Sequence, residues 1–362
     1  MSRTMAVFYS TTDDTEHALH YGDYGNRTLY ENTFNPNLAQ GGGTGSWINH
    51  PYPPPEPPDL PPPIDPERAI ARALSALYYP DNSRYFFFAS YNNQLHIVRY
   101  PPKDYYFISH RVYDDPFPTY QRNSIADISA VLVEGLQMYI VVLMTNGDLH
   151  WVFGYPNTVG SWEVTGLLFN HVPGSKAVTA FYDNSGHTLH ILAASDHDIT
   201  HVQADYVNGS LQVTLQDSFF HFDEQIIDIS GFITPDDSTT HLAVATVSNG
   251  VYRVYDISFY YSFVLNPPPQ PPQLVLVTNP MLLGTVDVYI QAIGAYVKPD
   301  TGRHVVMRAN PRNDPDNDRS GPSNDPDDLF LYLSWYYPGW AGFAYDLWPG
   351  QPPDRPEQDN GG

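Results

Sequence analysis

One short pattern recurs along this chain at intervals near fifty residues, and it limits the fold more than any other feature. A small residue followed by two bulky ones appears in Met5-Ala6-Val7-Phe8, Ser75-Ala76-Leu77-Tyr78, Ser129-Ala130-Val131-Leu132, Thr179-Ala180-Phe181-Tyr182, Ser230-Gly231-Phe232-Ile233 and Gly294-Ala295-Tyr296-Val297. The anchors Ala6, Ala76, Ala130, Ala180, Gly231 and Ala295 lie 70, 54, 50, 51 and 64 residues apart. After most anchors comes a turn rich in Asp, Asn, Gly, Ser or Pro, such as Pro80-Asp81-Asn82-Ser83 and Asp183-Asn184-Ser185-Gly186. Then follow a second apolar run (Tyr85 to Ala89, Met138 to Met144, Thr188 to Ala194), a polar turn, and a third run opening on Leu95-His96, Leu149-His150 or Val251-Tyr252. A fainter fourth run closes several units, as at Ser161 to Leu167 and Leu211 to Leu215.

Units of this length, each unable to cover both faces of its own sheet, stack radially around an axis. The chain is therefore expected to be all-β: a six-bladed β-propeller with four-stranded antiparallel blades, one domain over residues 1–348, and a disordered tail over 349–362. Alanine or glycine at the anchor suits strands that converge on the axis. The N-terminal strand is expected to close the ring by pairing with strands from the C-terminal region. Only Pro66 to Ala76 offers a short helical candidate. Two proline-rich segments break the spacing, an insertion over 50–66 and Pro267 to Pro272, and both read as stiff extended connectors.

Composition narrows the chemistry. The chain of 362 residues has no cysteine, which excludes a disulfide scaffold, a thiolate metal site and a cysteine nucleophile. Its net charge of −23 repels phosphate backbones and anionic membranes, so neither nucleic acid nor membrane is an expected partner. No apolar run approaches the roughly 20 residues of a spanning helix. The N-terminal segment reads as no intact secretory signal, so the protein is expected to be cytoplasmic as the sequence stands and secreted if a signal peptide has been removed. In the secreted case Asn26 and Asn208 open glycosylation sequons.

Several clusters carry bland readings. Asp314, Asp316, Asp318 and Asp325 have the spacing of a calcium loop, but Arg319 stands where the glycine belongs, so 310–328 reads as a solvated acidic loop. His187, His190, His197 and His201 fall on opposite faces by strand alternation, and no metal is expected. His96 and His150 share one position in the repeat, which suits a structural hydrogen bond better than acid–base work.

The six-unit array with small-residue anchors resembles the fungal fucose-specific lectins, over nearly the whole chain. That resemblance implies inter-blade pockets made by an arginine from strand two, a glutamate near the start of strand three and an aromatic platform. Two residues after the third-strand leader this sequence has Glu31, Ile97, Trp151, His201, Arg253 and Leu331, so only the first unit keeps a glutamate. Strand two offers Arg84 and Arg303 at its edge, in units other than that of the glutamate.

Loss of the repeated set on a kept scaffold points to one asymmetric pocket. A second resemblance, to fungal hetero-Diels–Alderases of tropolone sesquiterpenoid biosynthesis, implies a cofactor-free enzyme. Such an enzyme would hold two neutral polycyclic or terpenoid partners for cycloaddition after dehydration to a quinone methide. The ring three residues past the anchors reads Tyr9, Tyr79, Val133, Asp183, Thr234 and Lys298. On this reading Tyr79 and Asp183 are the catalytic candidates, and Tyr9, Tyr182, Tyr296, Lys298, Trp335 and Trp340 line the ligand. The alternatives are a carbohydrate-binding lectin with degenerate sites, whose partner is a glycan, and a protein-interaction scaffold presented by the proline segments. The sequence does not set the oligomeric state.

Overall fold

The computed structural model describes residues 5–10, 15–22, 28–35, 46–52, 71–90, 94–100, 109–113, 124–133, 137–154, 162–183, 187–207, 210–233, 239–262, 273–277, 279–286, 289–297, 303–310, 329–336 and 339–346. Within these the chain is all-β, without a helix that could cross a membrane. The first sheet is β1 (Met5–Ser10), β2 (Thr15–Gly22), β3 (Thr28–Asn35) and β4 (Ser46–Tyr52). The second is β5 (Ala71–Tyr78), β6 (Arg84–Ser90), β7 (Leu95–Tyr100) and β8 (Ser109–Tyr113), and the third β9 (Ile125–Val133), β10 (Gln137–Met144), β11 (Asp148–Gly154) and β12 (Trp162–His171). The fourth is β13 (Ala177–Asp183), β14 (Thr188–Ala194), β15 (Asp198–Val207) and β16 (Ser210–His221). The fifth has β17 (Gln225–Ile233), β18 (Thr240–Ser248) and the long β19 (Val251–Ser262), whose free edge is shared by β20 (Gln273–Leu276) and β21 (Met281–Val286). The sixth is β22 (Tyr289–Val297), β23 (Arg303–Asn310), β24 (Leu329–Tyr336) and β25 (Gly339–Asp346).

Every pairing is antiparallel, and the first strands of the sheets touch in a closed cycle, β1 to β5, β9, β13, β17, β22 and back to β1. This is a β-propeller arrangement. Because each sheet is covered on both sides, the second strands are apolar without alternation, and β10 and β14 are buried at every position. Alternate residues go to different neighbours: Met138, Ile140 and Val142 pack with the second sheet, while Tyr139, Val141 and Leu143 pack with the fourth.

The small anchors have a specific use at these junctions. An inner strand leaves one row of amides unpaired. The N–H of Ala130 donates to Ser75 Oγ at 2.9 Å, that of Ala180 to Ser129 Oγ at 2.9 Å, that of Gly231 to Thr179 Oγ1 at 2.9 Å and that of Ala295 to Ser230 Oγ at 3.0 Å. Each hydroxyl precedes an anchor and reaches the next anchor's amide, which a bulky anchor would obstruct. A lower tier adds buried carboxylates: Asp127 Oδ2 accepts from Val178 N–H at 2.7 Å, and Asp228 Oδ2 from Ile293 N–H at 2.8 Å. The repeat of Ser or Thr before the anchor is thus a hydrogen-bonded seam.

The first sheet breaks this seam and corrects the register read from the sequence. Met5, Val7 and Tyr9 pack with Ala292, Tyr296 and Val306 of the sixth sheet, while Ala6 and Phe8 pack with Leu74 and Phe86 of the second. Val7, not Ala6, therefore holds the anchor position, and Ser10 rather than Tyr9 is the equivalent of Tyr79 and Asp183. The seam positions here are Ala6 and Gly294, which have no hydroxyl. A Cβ on Gly294 would lie 2.5 Å from Val7 Cγ2, so a β-branched anchor fits only because its neighbour is glycine.

Other expectations change as well. Residues 71–76 of the helical candidate belong to β5, because small and apolar residues alternate there between two sheet neighbours. β1 pairs with β2 and meets β22 by packing, so among the described residues closure is face to face, not by strand pairing. The start of the first proline-rich segment, His50 to Tyr52, is the end of β4. The remaining prolines of both segments, residues 311–328 of the acidic loop, both sequon asparagines and the tail lie outside the described residues.

Candidate functional site

Strand register decides which side chains share a face. The residue after each anchor, its second-strand partner and the third-strand partner form one row: Phe8–His17–Thr33, Leu77–Tyr85–Arg99, Val131–Tyr139–Phe153, Phe181–His190–Gln203, Phe232–His241–Ser258 and Tyr296–His304–Ser334. In four sheets the imidazole lies flat on the first-strand ring, at centroid distances of 4.7 Å (His17), 5.2 Å (His190), 5.2 Å (His241) and 5.1 Å (His304). All four histidines are buried. The strand-two arginine is displaced from this row: Arg84 is buried one residue before Tyr85, near the Tyr100 ring, and Arg303 precedes His304.

The third-strand set needs a similar correction. Glu31, Ile97, Trp151 and His201 occupy equivalent positions, paired with Leu19, Phe87, Val141 and Leu192. In the fifth and sixth sheets that position belongs to Asp256 and Tyr332, paired with Ala243 and Val306, rather than to Arg253 and Leu331. Asp256 and His241 are both buried, with Nδ1 2.9 Å from Oδ2. Arg253 instead ties the β16–β17 connection to the fifth sheet through Glu224 at 2.5 Å.

His190 and His201 are also brought together, Nδ1 to Nε2 at 3.2 Å, and His201 Nδ1 lies 3.2 Å from Asp217 Oδ1. His197 stands elsewhere, against the carbonyls of Phe222 and Glu224, and no group of metal-ligating residues is found among the described residues. Burial holds the His190 pKa well below 6.5, and the neighbouring His201 adds to the effect. A histidine depressed in the folded state takes up its proton on unfolding, so its contribution to stability is present above about pH 6.5 and lost as pH falls. Between pH 6.5 and 5 the unfolding free energy is expected to drop by up to about 1.4 kcal/mol per pH unit. Chemical denaturation of His190→Gln across this range should show a shallower slope, and an unchanged slope would remove His190 as its source.

A partly open polar constellation lies where the second sheet meets the third. Tyr79-Pro80-Asp81-Asn82 is a tight turn closed by Asn82 N–H to Tyr79 O at 2.8 Å, and Tyr79 N–H then donates to Ser83 O at 2.9 Å. Asn82 takes the left-handed conformation (φ 68) that this bulged hairpin requires, and asparagine tolerates it. Asp81 Oδ1 accepts from Ser83 N–H at 2.8 Å, which orients its other oxygen toward β7. There Arg99 Nη2 donates to Asp81 Oδ2 at 2.7 Å, and Nε and Nη2 donate to Ser83 Oγ at 3.2 and 3.1 Å. The guanidinium carbon sits 5.7 Å from the centroid of the Tyr85 ring. Tyr79 packs edge-on to Tyr85 at 5.8 Å. Burial raises the pKa of both phenols, so both remain neutral donors.

The result is a fixed cation on an aromatic ring, beside a carboxylate, with the Arg99 side chain 20% exposed. Its Nη1 makes no hydrogen bond among the described residues. Solved structures share this architecture. AofleA from Arthrobotrys oligospora superimposes with a TM-score of 0.56 at 11% identity, over 96% of this chain and 87% of that one. SapL1 lectin, solved with α-methyl fucoside, gives 0.55 at 10% identity over 96% and 97%. The Aleuria aurantia lectin, solved with Fucα1-6GlcNAc, gives 0.53 at 12% identity over 97% of each chain. No protein-family model and no curated protein matches the sequence. At these identities the likeness establishes the propeller fold and nothing finer.

Of the residues singled out from the sequence, Tyr79 belongs to this constellation as a buried wall. Asp183 ends β13 opposite Thr188, and Tyr182 turns to the other face, toward the third sheet. Tyr9 and Tyr296 share one cluster between the sixth and first sheets. Trp335 and Trp340 are register partners at the β24–β25 turn, and Lys298 lies outside the described residues. Arg99, Tyr85, Asp81 and Ser83 were missed. Their signal was present: Arg99 is two residues from Ile97 and is the one arginine on its strand, on the same face as Tyr85 once the register is known.

Proposed function

We propose that this protein is a carbohydrate-binding β-propeller of six blades that holds a glycan at the junction of the second and third blades. The observation that carries the reading is Arg99, oriented by Asp81 and Ser83, laid on Tyr85, and with an Nη1 that makes no hydrogen bond among the described residues. Sugars present vicinal hydroxyls and an apolar face, and a guanidinium beside a carboxylate and a ring meets both. Lectins of this architecture are solved with fucosides, which makes α-methyl fucoside the first ligand to try.

Binding should not be repeated around the ring, because the rows of four other blades stack a buried histidine on an aromatic and the third blade has Val131, Tyr139 and Phe153. Calorimetric titration of a glycan panel headed by α-methyl fucoside should give one site per chain. Silence across the panel, or several equivalent sites, would overturn the proposal. A cycloaddition pocket gains less support: Tyr79 and Asp183 stand on different sheets, and no described contact unites them.

A further inference from the structure

We propose that His197 and His221 form a two-imidazole site for a divalent transition-metal ion at one end of the fourth sheet. Ser195-Asp196-His197-Asp198 is the turn from β14 to β15, closed by Ser195 N–H to Asp198 O at 2.8 Å. β16 ends beside this turn, and Phe222 N–H donates to His197 O at 2.8 Å. The start of β17 clasps it again, with Ile226 N–H donating to Asp196 O at 2.6 Å and Gln225 Nε2 to Asp196 Oδ1 at 3.3 Å. Lys176 Nζ donates to the same carboxylate oxygen. The backbone that carries His197 is therefore held from several sides before any ion arrives.

The surroundings of the two rings fix where their protons are. His197 Nδ1 lies 3.2 Å from Phe222 O and 3.1 Å from Glu224 O, and a carbonyl oxygen only accepts, so Nδ1 carries the proton. His221 Nδ1 lies 2.7 Å from Asp198 Oδ1, an acceptor as well. In the neutral rings both lone pairs are then on Nε2, and neither Nε2 makes a hydrogen bond among the described residues. A carbonyl or carboxylate on the far nitrogen is the usual setting of a metal-bound histidine, because it fixes the tautomer and makes the bare nitrogen more basic. The ring centroids are 6.2 Å apart. Metal–nitrogen bonds of about 2.0–2.1 Å place the centroids of two ligating imidazoles about 5–6 Å apart. Both side chains are exposed, so a small rotation closes them on one ion.

The third sheet shows what the second imidazole adds. Asp148 and His171 are register partners there as Asp198 and His221 are here, with Nδ1 2.8 Å from Oδ1. Gly147 stands in the place of His197, and its carbonyl accepts from Val172 N–H as that of His197 does from Phe222. The Asp–His pair by itself is thus a contact between strand ends, and only the fourth of these two sheets sets another ring next to it. Around the pair Asp196, Asp198, Asp223 and Glu224 outnumber Lys176 and Arg253, a balance that favours a cation. No group of three metal-ligating side chains is found among the described residues, so water fills the ion's other positions. Imidazole nitrogens select zinc, nickel or copper over calcium or magnesium.

The test titrates the full chain with zinc chloride and with calcium chloride in 150 mM sodium chloride, which screens the −23 net charge. Zinc is expected to bind at least tenfold more tightly than calcium. His197→Ala and His221→Ala should each lower zinc affinity at least tenfold, whereas His171→Ala, in the matched pair without a second ring, should leave it unchanged. Nitrogen NMR of the imidazoles in the unaltered protein locates the ion: zinc should move the Nε2 signals of His197 and His221 together while both Nδ1 stay protonated. Undiminished zinc affinity in the double His197→Ala, His221→Ala variant, equal affinity for calcium, or a shift of only one of the two rings would overturn the proposal. The pair is on the fourth sheet and Arg99 on the second, so this result and that of the fucoside titration stand or fall separately.

Discussion

Arg99→Ala is expected to weaken glycan binding by a factor of about 10 to 100 while leaving the protein folded. Hydrogen bonds from a charged donor contribute about 1.5–3 kcal/mol each, and at 1.4 kcal/mol per decade one such bond gives that range. The loss comes from two effects together. Nη1 is removed from the ligand, and Asp81, which accepts from Arg99 Nη2, loses that donor and keeps only the Ser83 N–H. Stability should change by less than about 1 kcal/mol, because the Asp81–Arg99 pair is partly solvated and the turn keeps its backbone bonds. Arg99→Lys should recover little, since an ammonium reaches Asp81 or Ser83 but does not reproduce the flat fork over Tyr85. Isothermal titration with thermal melting of the same samples separates the two effects. A loss below threefold in a protein with an unchanged melting temperature would show that Arg99 holds the turn and not the sugar.

How much of this was legible in the sequence depends on the range of the interaction. The repeat of small anchors was readable because it records a local constraint, the room for one hydroxyl and one amide where two inner strands meet. The β-propeller arrangement follows from it. The constellation at Arg99 joins a turn to a strand 16 residues away, and its meaning depends on register, which a one-residue slip inverts. The same slip misplaced the first anchor. Ala6 matches the pattern letter by letter, but Val7 fills the position, and only Gly294 on the far side of the ring explains why valine is tolerated there. In the fifth sheet counting from Val251 chose Arg253 where pairing chooses Asp256, since β19 begins farther from the shared row than its counterparts. The helical candidate gives way to strand over 71–76 for the related reason that packing on both faces removes the polar–apolar alternation by which a strand is recognised.

Gly294 is where that dependence on a distant partner becomes measurable. Gly294→Ala is expected to destabilise the protein by about 3 kcal/mol, the upper end of the usual cost of overpacking. The added methyl would sit 2.5 Å from Val7 Cγ2, inside any real contact, and 3.1 Å from Cγ1, and Val7 is held by β1 between the sixth and second sheets. The gain from restricting the unfolded chain, about 0.4–1 kcal/mol, is too small to offset this. Val7→Ala alone should also cost stability, by leaving a void at the same junction. In the double variant the alanine methyl occupies part of the space the valine vacates, so the combined loss should fall short of the sum by about 1–2 kcal/mol. Urea unfolding of the four proteins closes the cycle. Additive losses would mean that the two residues do not meet, that the first sheet does not seal the ring against the sixth at this point, and that Ala6 is the anchor after all.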